Sequence, residues 1–153
     1  MDDYLCSAMD LAYYAIDRCI YQGNPISNLQ LQKILYFLQS VYCRATEGSL
    51  IFPDEFEAWP YGPVLPEVYD EYSCYGASVI DDAQHSMPVT GDPDVVAFLD
   101  DGIDDLSGKY PWDLVKTSHA PGGPWDTVWN GGDGYKHTIP NGLIVDAALA
   151  GIR

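Results

Sequence analysis

The amino-acid sequence predicts a mainly α, single compact helical domain with one small β-hairpin at about residues 50–59. Three observations carry that reading. Apolar residues recur at three- and four-residue spacing in several separate windows. Ser27 and Gln30 stand at capping-box spacing just before the clearest of those windows. Proline and glycine punctuate the chain between windows, 11 and 14 of them in 153 residues, so the helices are short and their connections abrupt. All of 1–153 reads as one domain, long enough to bury a core without staples. Hydrophobic residues at 47% and charged residues at 20% match a globular composition and argue against disorder.

The first helix is expected to start near Asp2 or Asp3, where acids suit the helix dipole. Leu5, Ala8, Leu11, Ala12, Ala15, Ile16, Cys19 and Ile20 keep the helical period, and Gly23-Asn24-Pro25 ends it. In the second helix Ser27 and Gln30 cap the first turn, with Ile26 and Leu31 placed as a hydrophobic staple. Leu31, Ile34, Leu35, Leu38 and Tyr42 form its apolar face, and Gly48 stops it. Leu50-Ile51-Phe52 and Phe56-Glu57-Ala58-Trp59, around Pro53-Asp54-Glu55, read as the two arms of the hairpin. Pro66 opens a helix to about Tyr75, with Gly76 beyond its end. Residues 77–91 read as a polar loop. Asp92 caps a helix that begins at Pro93 and turns Val95, Val96, Leu99, Ile103 and Leu106 inward. Pro111 starts a short helix through Trp112, Leu114 and Val115. Segments 121–124 and 130–134 read as loops, and a last helix runs from Pro140 to about Ala150 with Leu143, Ile144, Ala147 and Ala148 inward.

The formal net charge is -16. Such a chain repels a phosphate backbone and an anionic membrane, so direct nucleic-acid or membrane binding is not expected. A basic protein partner is favoured instead. The charge is uneven. No Lys or Arg lies between Arg44 and Lys109, whereas Asp54, Glu55, Glu57, Glu67, Asp70 and Glu71 crowd into that stretch. The acids run on through Asp81-Asp82, Asp92, Asp94, Asp100-Asp101 and Asp104-Asp105. The acidic N-terminus, Met1-Asp2-Asp3, is unlike a signal peptide, and no apolar run approaches a membrane span, so a cytoplasmic protein is expected.

No pattern demands a metal or cofactor, and none is expected. Cys6, Cys19, Cys43 and Cys74 include no CxxC pair, and the first three sit among apolar residues as buried free thiols would. The acids at 100–105 do not match a calcium loop and read as a solvated helix face. Gly131-Gly132-Asp133-Gly134 lacks the Lys-Ser/Thr of a phosphate cradle. A Ser118/His119 site can be drawn, without a nucleophile elbow to support it. No catalytic residue is assigned, and the chain reads as a non-enzyme. Trp59, Tyr61, Trp112 and Trp125 read as core or interface aromatics, and Lys33 is expected to pair with a carboxylate.

Three segments together resemble one family. They are Leu29-Gln30-Leu31-Gln32-Lys33-Ile34-Leu35-Tyr36-Phe37; Phe56 to Val64 with its Trp59, Tyr61, Gly62 and Pro63; and Leu114 to His119 followed by Gly123-Pro124-Trp125. In order and spacing they resemble the Panacea (SocA-like, GepA-like) antitoxin domain. The signature positions are Gln32, Lys33, Tyr36, Trp59, Tyr61, Gly62, Pro63, Ser118, His119, Pro124 and Trp125. The resemblance implies a type II antitoxin, often carried by prophages, that neutralises a cognate toxin by direct contact. Family toxins include relatives of alarmone synthetases that block translation. The alternatives it implies are an adaptor delivering the toxin to a host protease, or a phage-encoded acidic inhibitor; a small-molecule enzyme is a lesser one. Asp54, Glu55, Glu57, Glu67, Asp70 and Glu71 are the candidate acids for a basic toxin surface, with Tyr61 and Tyr69 as aromatic anchors.

Overall fold

The computed structural model describes residues 3–152. Among them are seven α-helices and three short strands: α1 Ala8–Tyr21, α2 Asn28–Ala45, β1 Phe56–Trp59, β2 Gly62–Val64, α3 Pro66–Glu71, α4 Pro93–Ser107, α5 Pro111–Ser118, α6 Pro124–Trp129, β3 Thr138–Ile139 and α7 Asn141–Ala150. The mainly α class with a small hairpin is what the sequence predicts. The strands form one antiparallel sheet in the order β2-β1-β3. No helix among the described residues is long and apolar enough to cross a membrane.

The organising element is α2. Its capping box forms as expected, with Gln30 N–H donating to Ser27 Oγ and Ser27 N–H to Gln30 Oε1, and Ile26 and Leu31 are both fully buried. The expected single apolar face is too narrow, however. Every residue from Leu31 to Ser40 is buried, because α1, α4, α5, α7 and β2 enclose the helix. That enclosure traps Gln32, Lys33 and Gln39, polar groups that must then find partners.

Those partners correct the hairpin. The expected second arm, Phe56–Trp59, does form as β1, but it pairs with Gly62–Val64 across a two-residue Pro60-Tyr61 turn, with Trp59 opposite Gly62. Leu50-Ile51-Phe52 is no strand. Ile51 N–H donates to Gln39 Oε1 at 2.7 Å, Gln39 Nε2 donates to the Phe52 carbonyl at 2.8 Å, and the Ile51 carbonyl accepts from Leu5 N–H. With its backbone groups satisfied by a helix side chain and the N-terminal segment, this run needs no ladder.

Other boundaries shift for local reasons. Asp2 lies outside the described residues, and Asp3 is irregular; α1 starts at Ala8, where Ser7 and Asp10 form a second capping box. The stretch after Gly123 holds a helix, α6, with Pro124 as its first residue and left-handed Asn130 at its end. Four members of the acidic 100–105 run divide between two environments. Asp101 and Asp105 are exposed, whereas Asp104 pairs with Arg18 on α1 at 2.7 Å and Asp100 accepts from Tyr14 Oη. Cys19 and Cys43 are buried free thiols, Cys6 is half-buried and Cys74 exposed.

Candidate functional site

The three signature segments, far apart in the chain, meet around the 60–63 turn. Lys33 sends its side chain through the core, fully buried, and Nζ donates to the Pro63 carbonyl at 2.8 Å. No carboxylate among the described residues meets it, contrary to the expected ion pair. Burial without a counter-charge disfavours the ammonium, so the Lys33 pKa falls from its ordinary value to about 7. The residue before it, Gln32, accepts through Oε1 from Leu65 N–H at 2.8 Å. Gln32 Nε2 donates to Asn28 Oδ1, and Asn28 Nδ2 donates to the Tyr69 carbonyl. Gln32 and Lys33 thus tie the middle of β2 and the residue that follows it to α2.

The turn itself admits no side chain at position 62. Gly62 has φ +109°, and a Cβ there would lie 2.5 Å from Ser118 Oγ and 2.7 Å from Lys33 Cε. Ser118 is fully buried, and its hydroxyl donates back to the Val115 carbonyl at 2.7 Å, not to His119. A Ser/His nucleophile is therefore not assembled. His119 lies flat on Trp125, ring centroids 3.7 Å apart and planes 4° from parallel. Its Nε2 is buried without a partner. Burial first, and the nearby Lys33 second, hold the imidazole pKa below its usual value, so the ring is neutral at pH 7. Trp125 Nε1 donates to the Trp59 carbonyl at 2.8 Å, tying α6 to β1. Tyr36, also in the signature, is buried edge-on to Phe37 and Phe56.

Outside this scaffold opens a groove of about 480 Å³. Trp59, Tyr61, Tyr69 and Trp112 supply aromatic walls, with Leu29, Pro60, Val64, Gly76 and Ala77 between them and Asn28 and Gln32 also lining it. Trp59 and Tyr69 are 5.0 Å apart between centroids, and Tyr61 and Trp112 meet edge-to-face at 5.2 Å. Tyr61 is 58% exposed and Trp112 46%. The two rings shield each other little, so the groove displays apolar surface to solvent.

The structure divides the expected interface residues. Tyr61 and Tyr69 line the groove, and Glu57 Oε1 accepts from Trp59 Nε1 beside it at 3.0 Å. Asp54, Glu55 and Glu67 instead line a separate recess of about 290 Å³ with Met9 and Leu65. Asp54 Oδ1 accepts from Ala8 N–H at the start of α1, and Glu55 Oε2 from Asn141 N–H at the start of α7. Both carboxylates serve helix N-termini. Glu67, Asp70 and Glu71 on α3 are exposed, and their carboxylates have no hydrogen-bond or ion-pair partner among the described residues. Trp112 is a groove wall that sequence reasoning left among generic aromatics, since nothing in its spacing ties it to residues 59–69. No cluster of three or more metal-ligating side chains occurs among the described residues.

The comparisons fit this geometry. The model of the family described as Antitoxin SocA-like, Panacea domain, matches residues 31–126, a span that runs from α2 through Trp125. Antitoxin SocA of Caulobacter vibrioides (strain NA1000 / CB15N) is 32% identical over 140 residues, covering 85% of this chain and 74% of that protein. No solved structure matches. The segments that build the Lys33–Gly62–Ser118 scaffold are those of the matched domain, and the chain belongs to the SocA-like Panacea antitoxin family.

Proposed function

We propose that this chain is the antitoxin of a type II toxin–antitoxin pair and neutralises a cognate toxin by direct protein–protein contact. The docking centre is the aromatic groove, and the free carboxylates of Glu67, Asp70 and Glu71 on α3 steer the toxin toward it. The observation that supports this most is the exposure of Tyr61 and Trp112 over a rigid scaffold. Exposed aromatics in a preformed apolar recess are the usual anchors of a protein interface. A net charge of -16 favours a toxin with a basic surface. A translation-blocking toxin related to alarmone synthetases, which must hold phosphate-bearing substrates in the cytoplasm, has such a surface. Occupying it would block the substrate.

Co-expression with the product of the adjacent open reading frame tests the reading. Growth rescue together with a co-purifying complex is expected. Rescue with no complex, and toxin that disappears only when a host protease is present, would replace occlusion by adaptor-mediated proteolysis.

A further inference from the structure

The groove has a feature that a plain hydrophobic slot lacks. Its apolar walls are rings, and one of them, Trp59, donates its indole N–H to a carboxylate, Glu57. Trp59 and Tyr69 form one tilted pair and Tyr61 and Trp112 another. Glu57 sits at the Trp59 indole with one oxygen engaged by Nε1, and Asp70 and Glu71 follow Tyr69 on α3, both exposed. Within the molecule a cation already uses this chemistry. Lys136 Nζ lies 5.6 Å from the Trp59 ring centroid and 5.5 Å from that of Tyr135. Lys116, one turn along α5 from Trp112, is exposed to solvent.

We infer that the groove receives an arginine side chain presented by the partner, its guanidinium stacked among the four rings and its edge turned toward Glu57 and the α3 carboxylates. The inference rests on the docking reading above and names the chemistry of the anchor. Arginine fits better than the alternatives for physical reasons. The guanidinium is planar, weakly hydrated and able to stack on an aromatic face while its N–H groups reach carboxylates. An apolar side chain would fill the walls and leave the Glu57 carboxylate uncompensated. Lysine carries its charge as a strongly hydrated point that loses more on entering an apolar slot. The volume, about 480 Å³, accommodates a long side chain together with the backbone that carries it.

The test uses the full chain and three small probes: the N-acetyl amides of arginine, lysine and leucine. Indole N–H resonances of Trp59 and Trp112 are followed by NMR during titration at low ionic strength, with Trp125 and Trp129 as internal controls. The arginine amide is expected to move Trp59 and Trp112 selectively. It should bind about threefold more tightly than either other probe, equivalent to ~0.6 kcal/mol. Raised salt should weaken the response, and Trp112→Leu and Tyr61→Leu should each reduce it. An equal or stronger response to the lysine or leucine amide overturns the inference, as does the absence of any localised response to arginine. Those results leave co-expression rescue untouched. Failure of the wild-type chain to bind its toxin, with the arginine response intact, would instead count against the docking reading alone.

Discussion

Gly62 lies so close to Lys33 that a Cβ on the glycine would stand 2.7 Å from Lys33 Cε. The same Cβ would meet Ser118 Oγ at 2.5 Å, and the backbone there has φ +109°. Gly62→Ala therefore combines a disfavoured backbone with an overpacked core. Urea unfolding should show a loss of roughly 3 kcal/mol. A loss under about 0.5 kcal/mol would mean that Lys33 and Ser118 move aside freely and do not fix the turn.

Lys33 gives the protein a distinctive pH response. Its pKa is about 7 when folded and 10.5 when exposed in the unfolded chain. Between these values the unfolded state binds more protons, so stability rises with pH. The cleanest window lies between about 7 and the point near 9.0 where unfolded cysteines ionise; the buried thiols of Cys6 and Cys19 are pushed up to about 12 and about 11. Across it the wild type should gain roughly 2 kcal/mol. Lys33→Met, which keeps the volume and removes the amine, should flatten that rise. A parallel slope in the two proteins, measured by urea unfolding across the window, would place the titrating group elsewhere.

His119 acts in the opposite pH range. Its imidazole pKa is held below the ordinary 6.5 by burial and by Lys33, so below pH 6.5 the unfolded state takes up the proton more readily and the native state loses stability. His119→Phe keeps a ring over Trp125 and removes the unpartnered Nε2. It should hold stability at pH 7 within about 1 kcal/mol and lose less on acidification than wild type. Thermal melts at pH 7 and below pH 6.5 compare the proteins. Retained neutralisation by this variant is expected, and its abolition in a folded variant that still binds toxin would restore a chemical role for His119.

Glu67, Asp70 and Glu71 are free for a partner, whereas Asp54 is committed to the fold. Changing the three α3 acids to lysine should slow toxin association by roughly tenfold at low salt and leave the melting profile nearly unchanged. If neutralisation by that variant persists at raised salt with an unaltered association rate, steering by this face is wrong.

Asp54→Ala should behave differently. It strips the carboxylate that accepts from Ala8 N–H at 3.0 Å. The expected cost is about 1 kcal/mol of stability. Toxin association, followed by surface binding kinetics on the folded fraction, should stay within about twofold of wild type.

How much of this was legible beforehand varied with the range of the interaction. Caps were the most legible. Ser27–Gln30, Asp92 before Pro93 and Pro66 as a first helical residue involve neighbours within one turn, and all stand where the sequence puts them. The two-residue hairpin turn at Pro60-Tyr61 is not legible in the sequence, because proline-containing turns mark loops and hairpins alike and only the paired arm distinguishes them. The sequence puts the first arm at residues 50–52, whose β-like composition is real but whose hydrogen bonds go to Gln39 and Leu5.

For the site, the family, the acidic character and the residues of the scaffold are legible in the chain alone, since Gln32, Lys33, Gly62, Ser118, His119 and Trp125 all belong to recognisable segments. The packing of the folded chain sets their contacts. It replaced the ion pair expected of Lys33 with a carbonyl from a residue 30 positions away, and it took Asp54 and Glu55 out of the free acids by setting them at the starts of α1 and α7. It also brought Trp112 beside Tyr61. A short-range pattern reflects one segment's own backbone. Whether a charge ends buried or free, and which rings share a groove, depends on elements packed against it from elsewhere in the chain.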